Sequence, residues 1–482
     1  MVGFFGFKSV MNSKLKYLAS NMGWMSISGF ASKVLVFLMV PFYTRVLSSE
    51  GYGLYDLGYT SVVLLAPLVS LNAGESIMRF AIVEKDKIAG YFSSAFAASL
   101  AGAIGGSLIC LLIVLLGGFD YQVAECIKSV ALLLTSNIVY ILFSQFARGI
   151  DRVKDMALGG LLNSVLLVVL SIVFVVGFDL GVKGCYCATS FAVLAGGVFI
   201  GVRCRFWDYL VRPKLSLLVE LARYGIPLSV NTLGWWVNSS FSRYAVALLC
   251  GVANAGLLSA AYKIPAIPKT IQQIFIQAWQ ISAIRDFDPD DRDGFFGKIY
   301  NGACCFSAML TSVVVFLMPV IAIVMFSDEF YSAWIYVPIL MVCILFDCLA
   351  SVVGGIFTAV GNTRPIAASA AVSVFAAVVA CIVFIPLFGI QGAALASALS
   401  SVVIWAVRLI LSRKYLLFSI DWRTFVTMIA VIVVQVTFAL AIPLSTFWYF
   451  VQVPCVLLVL LLALKSIGFS RLVAKVISKS GN

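Results

Sequence analysis

The 482-residue sequence is 62% hydrophobic and 11% charged, with a mean hydropathy of +1.07. A soluble domain carries about 25% charged residues, so no soluble core absorbs this much apolar surface, and an all-α polytopic membrane protein remains. The absence of His excludes His-based metal sites, Ser-His-Asp triads and imidazole relays. Twelve Cys are scattered mostly through apolar segments, where Cys behaves as a small hydrophobe. No Walker motif appears. Neither metal nor cofactor is expected. The net charge of +12 is assigned to topology rather than to nucleic acid.

Residues 1–20 read as a basic, uncleaved cytoplasmic lead-in. From Asn21 two long apolar segments flank a short loop, Leu47 to Tyr52. Each is long enough to span a bilayer, which takes about 20 helical residues. Further spans follow at Ile88–Phe119, Ser129–Ala147, Met156–Phe178, Gly184–Val202, Leu221–Leu249, Ala255–Ile284, Tyr300–Ser327 and Phe330–Val360. Pro365 to Val407 is uncharged and too long for one helix, and Pro386 to Gly389 divides it. Thr424 to Leu464 divides near Pro443. The expectation is about 14 transmembrane helices with both termini cytoplasmic. In that orientation every inside segment carries a cation, while the outside loops hold only Arg45, Lys128 and Lys183, as the positive-inside rule requires. The acidic loop at Asp286 to Gly297 reads as a solvated linker.

Gly53-Leu54-x4-Tyr59 after the first span matches Gly256-Leu257-x4-Tyr262 after the seventh. Such a repeat implies two pseudo-symmetric six-helix lobes around a central cavity. The expected divisions are an N-lobe at 21–206, a C-lobe at 207–414 after a cytoplasmic linker, and two extra helices with a basic tail at 415–482.

Charges inside the spans are the sharpest features, because each costs roughly 2.5–3.5 kcal/mol at the bilayer centre. Lys33, Arg45, Arg243, Lys263 and Lys269 are the candidate substrate-binding cations. Arg binds phosphate as a fork and Lys as a point charge, so a basic cavity suits a lipid pyrophosphate headgroup. The plainer reading, for Lys269 and Arg223 above all, is snorkelling along the aliphatic stem. Glu75 and Asp347 are the embedded acids and the ion-coupling candidates. Their plainer reading is local pairing: Arg79 stands four residues after Glu75, within one helical turn, whereas Asp347 has no cation nearby in sequence. Trp448 and Tyr449 read as interfacial belt residues, and the glycines from Gly102 to Gly106 as close-packing points. Trp235-Trp236 stacks a sugar or packs a lobe.

The run Pro41-Phe42-Tyr43-Thr44-Arg45-Val46-Leu47, then Glu50-Gly51-Tyr52-Gly53-Leu54-Tyr55, then Gly74 to Phe80, resembles the opening of the polysaccharide and O-antigen flippases. These lipid-linked oligosaccharide flippases belong to the multidrug/oligosaccharidyl-lipid/polysaccharide (MOP) exporter superfamily. The resemblance implies translocation of a polyprenyl-pyrophosphate-linked sugar unit from the cytoplasmic to the outer leaflet by alternating access, coupled to an ion gradient. It also implies the bacterial inner membrane as location, with membrane lipids and polysaccharide assembly proteins as partners, and no nucleic acid. Lipid II flippases of the superfamily use cations in the first span and near the start of the eighth. Lys33 and Lys263 fall near such positions, with Lys in place of the more usual Arg. Two alternatives stay open beside this transporter reading, a MATE-type multidrug exporter and a membrane glycan polymerase or ligase. The first favours an acidic cavity, and the second a large outside loop that is not seen here.

Overall fold

The computed structural model describes residues 29, 32–285, 287–362, 364–442 and 446–466. The expected lead-in, the basic tail and Pro443 lie outside the described residues. Among those residues, eleven helices are long and apolar enough to cross a membrane, and no strand occurs. Two more, at 36 and 34 residues, are as long but carry embedded charges. In hydrocarbon every backbone polar group must be satisfied within the segment, which leaves helices as the form for such sequences. The chain forms two compact units, residues 1–236 and 237–482.

The first unit holds α1 (Val40–Val46), α2 (Ser49–Val69), α3 (Ala73–Val83), α4 (Ile88–Gly117), α5 (Tyr121–Gly149), α6 (Val153–Ser171), α7 (Gly181–Arg203) and the first part of α8 (Leu215–Cys250). Ser48 caps α2, its hydroxyl accepting from the Gly51 amide at 3.1 Å. The second span is not continuous. Pro67 cannot donate to the preceding turn, and α2 ends two residues later. Leu71 and Asn72 then take left-handed backbone, φ 53° and 54°, before α3 begins. Asn tolerates that region, but for Leu it is an outlier held by its surroundings. Gly225 of α8 is part of what holds it. A Cβ there would stand 2.1 Å from the Leu71 carbonyl oxygen.

Two apolar clusters pack this unit. Phe92, Phe143, Phe146, Ile77 and Ile200 form one, and Val62, Ala66, Leu133, Leu134 and Tyr186 the other. Lipid is as apolar as Leu, so close packing and interhelical hydrogen bonds hold such helices together. Tyr43 pairs with Ser171 at 3.0 Å, Tyr55 with Thr189 at 2.7 Å, and Tyr186 donates to the Leu54 carbonyl at 2.7 Å. The linker before α8 is tied to this unit, since the Ser93 hydroxyl donates to Tyr209 O and accepts from the Val211 amide.

The second unit holds the rest of α8, then α9 (Val252–Arg285), α10 (Phe295–Met325), α11 (Val337–Val360), α12 (Arg364–Phe388), α13 (Ile390–Ser412), α14 (Trp422–Ala441) and α15 (Thr446–Ser466). Helix α11 is its axis, with residues such as Val337, Leu345, Leu349 and Phe357 fully buried. The long uncharged run divides at Gly389, whose φ of 59° and ψ of −134° suit Gly alone. The acidic linker has a structural task, as the Asp291 carboxylate accepts the Phe296 and Gly297 amides at the start of α10. Gln435 and Gln452, both fully buried, run a polar chain from α15 through α14 to the Ser312 carbonyl of α10. Trp448 is 1% exposed, which corrects the expectation of an interfacial belt position. Its ring meets Tyr449 edge-on at 5.0 Å, and Tyr449 itself is exposed.

Candidate functional site

In the first unit Lys33 lies on the helical residues 32–38 and Arg45 in the last turn of α1, both exposed from the protein. Glu75 sits in the first turn of α3, just past the break. The expected local pair with Arg79 does not form among the described residues. The Gln145 amide of α5 donates to the Glu75 carboxylate instead. Arg79 turns the other way, its guanidinium carbon 4.3 Å above the centre of the Tyr224 ring. The geometry explains the choice: at i, i+4 the two side chains share a helix face, but α3 packs that turn between α5 and α8. The Ser76 hydroxyl donates to the Leu221 carbonyl of α8 at 3.1 Å. Phe80 stacks on Tyr91 at 4.6 Å, and the Tyr91 hydroxyl donates to Glu220 at 2.5 Å.

Two acids of this unit escaped the sequence reading. Asp56, in the second turn of α2, is only 2% exposed. It stood in view only as part of the repeat match, although its place inside the run Tyr52 to Leu68 was the available signal. Glu220 lies one residue before the span expected at Leu221–Leu249, whereas α8 begins at Leu215 and includes it. Asn72 is buried at the helix break, and Trp236 is a packing residue, its indole donating to Thr60 O at 2.8 Å.

The second unit orders its charges more tightly. The Arg243 guanidinium of α8 lies 4.9 Å from the centre of the Tyr262 ring of α9, within cation–π range. Tyr262 is fixed in turn, its hydroxyl 3.2 Å from Ser242 Oγ and 2.8 Å from Ser397 Oγ of α13. Lys263 is the next residue on α9 and is half-buried. Of the two candidate cations, Arg243 is thus held against an anchored ring.

About two turns further along α9, Lys269 does not merely snorkel. Its Nζ lies 3.3 Å from Asp347 Oδ2 of α11. This gives Asp347 the cation that its local sequence lacked, 78 positions away in the chain. Arg408 of α13 completes the group. Its Nη1 donates to the Ala350 carbonyl at 2.9 Å, and its Nε donates to Ser369 Oγ at 3.1 Å. Gln272 donates to Ser307 Oγ at 3.1 Å between helices.

A family model described as a polysaccharide biosynthesis protein matches residues 18–279. No curated protein matches the sequence. Among solved structures, the chain is similar to the lipid II flippase MurJ in an inward closed conformation, with a TM-score of 0.65 and 14% identity over 93% of this chain and 99% of that one. It is also similar to a MOP superfamily transporter from Pyrococcus furiosus, with a TM-score of 0.58 and 14% identity over 82% and 95%. An inward-facing multidrug MATE transporter gives a TM-score of 0.59 and 15% identity over 81% and 94%. At these identities the likeness establishes the fold, which is that of the MOP transporters.

Proposed function

The chain belongs to the polysaccharide biosynthesis protein family, and from that premise we propose that it is a flippase for a polyprenyl-pyrophosphate-linked oligosaccharide. The sugar unit would be an O-antigen, capsule or exopolysaccharide repeat, moved from the cytoplasmic to the outer leaflet of a bacterial inner membrane by alternating access. The observation that carries this reading is the surplus of cations over available acids on the membrane helices. Arg243 lies over the Tyr262 ring, Lys263 is the next residue on α9, and Lys33 and Arg45 stand exposed on the opening helices. Pyrophosphate is recognised by such groups. An exporter of organic cations needs the opposite charge, and here Asp347 is engaged by Lys269 and Glu75 by Gln145.

Lys269 joins this set conditionally. While Asp347 is ionised, Lys269 is held to it. When Asp347 takes up a proton or Na⁺, Lys269 is released toward the headgroup. Carboxylates embedded among membrane helices serve such relays, and Glu75 is the corresponding candidate in the first unit.

The test is surface glycan display in a strain lacking the protein, complemented at matched expression with wild type, Lys33→Ala, Arg243→Ala or Lys263→Ala. The expected result is that the deletion traps sugar-loaded carrier lipid inside and that only wild type restores display. Unchanged display in the deletion strain overturns the flippase reading. Full rescue by all three variants removes the headgroup site while leaving the cargo in place.

A further inference from the structure

At one end of the second unit, α10, α14 and α15 open a cavity of about 750 Å³. Lys298 enters it from the first turn of α10, Arg423 from the first turn of α14 and Lys465 from the last turn of α15. Two helices start and one ends there, so all three cations lie at the same membrane surface.

Asp421 is the one acid among the lining residues, and it is committed elsewhere. It caps α14, accepting from the Thr424 amide at 3.2 Å and the Thr424 hydroxyl at 2.6 Å. These bonds hold its carboxyl below the usual carboxylate range. Lys298 donates to the neutral carbonyl of Asp293 at 2.7 Å. Among the described residues, no ion pair engages Lys298, Arg423 or Lys465. The lining therefore carries three cations against one capping carboxylate.

An exposed apolar stripe leads away from the cavity. Leu461 and Leu458 lie one and two turns before Lys465 on α15, 63% and 42% exposed. Val426 and Val433, 58% and 53% exposed, follow Arg423 along α14. A free phosphate has no use for such a stripe, whereas a lipid has a headgroup for the cavity and acyl chains for the stripe. Basic pockets between membrane helices are suited to anionic headgroups.

We infer that this cavity binds the phosphate headgroup of an anionic phospholipid, with its acyl chains lying along α14 and α15. This inference does not rest on the flippase reading.

The experiment is native mass spectrometry of the purified full chain, titrated with phosphatidylglycerol or phosphatidylethanolamine. The proteins are wild type, Arg423→Gln/Lys465→Gln, and the charge-matched control Arg212→Gln/Lys214→Gln in the linker of the first unit. Each Lys or Arg at an anionic surface is worth roughly fivefold in affinity. The double variant should therefore bind phosphatidylglycerol about 25-fold more weakly, with phosphatidylethanolamine unchanged and the control like wild type. Binding within twofold of wild type, or an equal loss in the control, overturns the site. Displacement of the lipid by inorganic pyrophosphate at an affinity equal to that of phosphatidylglycerol overturns the lipid assignment in favour of a soluble anion. Thermal unfolding of each variant excludes misfolding as the cause of any loss.

Discussion

Lys269 Nζ and Asp347 Oδ2 stand 3.3 Å apart and tie α9 to α11 across 78 positions of sequence. Both side chains keep partial exposure, 49% and 33%, so the pair's worth to stability is small and its worth to mechanism is the larger. A double-mutant cycle on Lys269→Met and Asp347→Asn should give a coupling of about 1 kcal/mol in thermal unfolding. Asp347→Asn should also remove the dependence of transport on the ion gradient, measured in proteoliposomes with an imposed pH or Na⁺ gradient. Unaltered gradient dependence would remove Asp347 from the coupling step.

Tyr262 separates ring from hydroxyl. Tyr262→Phe loses the contacts to Ser242 and Ser397 but leaves the ring under Arg243, and should cost about 1 kcal/mol of stability. Tyr262→Leu loses the cation–π contact as well, worth about 1–2 kcal/mol more where water is excluded. Transport should survive the first change and fall about tenfold with the second. Equal transport in both variants would show that the ring does not position Arg243.

Gly225 and Gly234 stand on the same helix and should respond oppositely to Ala. At Gly225 the new methyl meets the Leu71 carbonyl at 2.1 Å, whereas nothing lies within 4 Å at Gly234. Gly225→Ala should destabilise by about 2–3 kcal/mol, since the neighbour is backbone and cannot step aside. Gly234→Ala should be neutral or stabilising by up to about 1 kcal/mol, because Gly is entropically costly in a helix. Thermal unfolding in detergent compares them directly, and a mild Gly225→Ala would mean that the break between α2 and α3 yields easily.

Trp448 offers a packing test. Truncation to Ala should cost about 3–5 kcal/mol, as for a core aromatic, where a belt position would lose far less. Trp448→Phe should stay within about 1.5 kcal/mol of wild type. The indole N–H is buried with no hydrogen-bond partner among the described residues, so its removal gives up no bond.

Much of the fold was legible in the sequence because a bilayer imposes a length rule and a charge rule on every span. The uncharged runs at Ile88–Phe119 and Gly184–Val202 reappear as α4 and α7 within a few residues. Gly389 divides the long run between α12 and α13 where the turn residues stood. The family resemblance was legible too, yet Tyr43 and Tyr52 of that motif prove to be buried packing residues, and Tyr55 is half-buried against Tyr186. Pro67 was the visible sign of the break in the second span. The left-handed pair that follows it was not visible, because its backbone is held by Gly225, far away in the chain.

By itself, then, the sequence determined that this is a helical, multi-pass membrane protein and which residues carry charge within its helices. Hydropathy and charge are properties of single residues summed over short windows. The partners of those charges were decided only by tertiary structure. Glu75 passes over Arg79 on its own helix for Gln145 of α5, and Asp347 finds Lys269 of α9. Which partner an embedded charge meets depends on how helices far apart in sequence cross, and no local window contains that information.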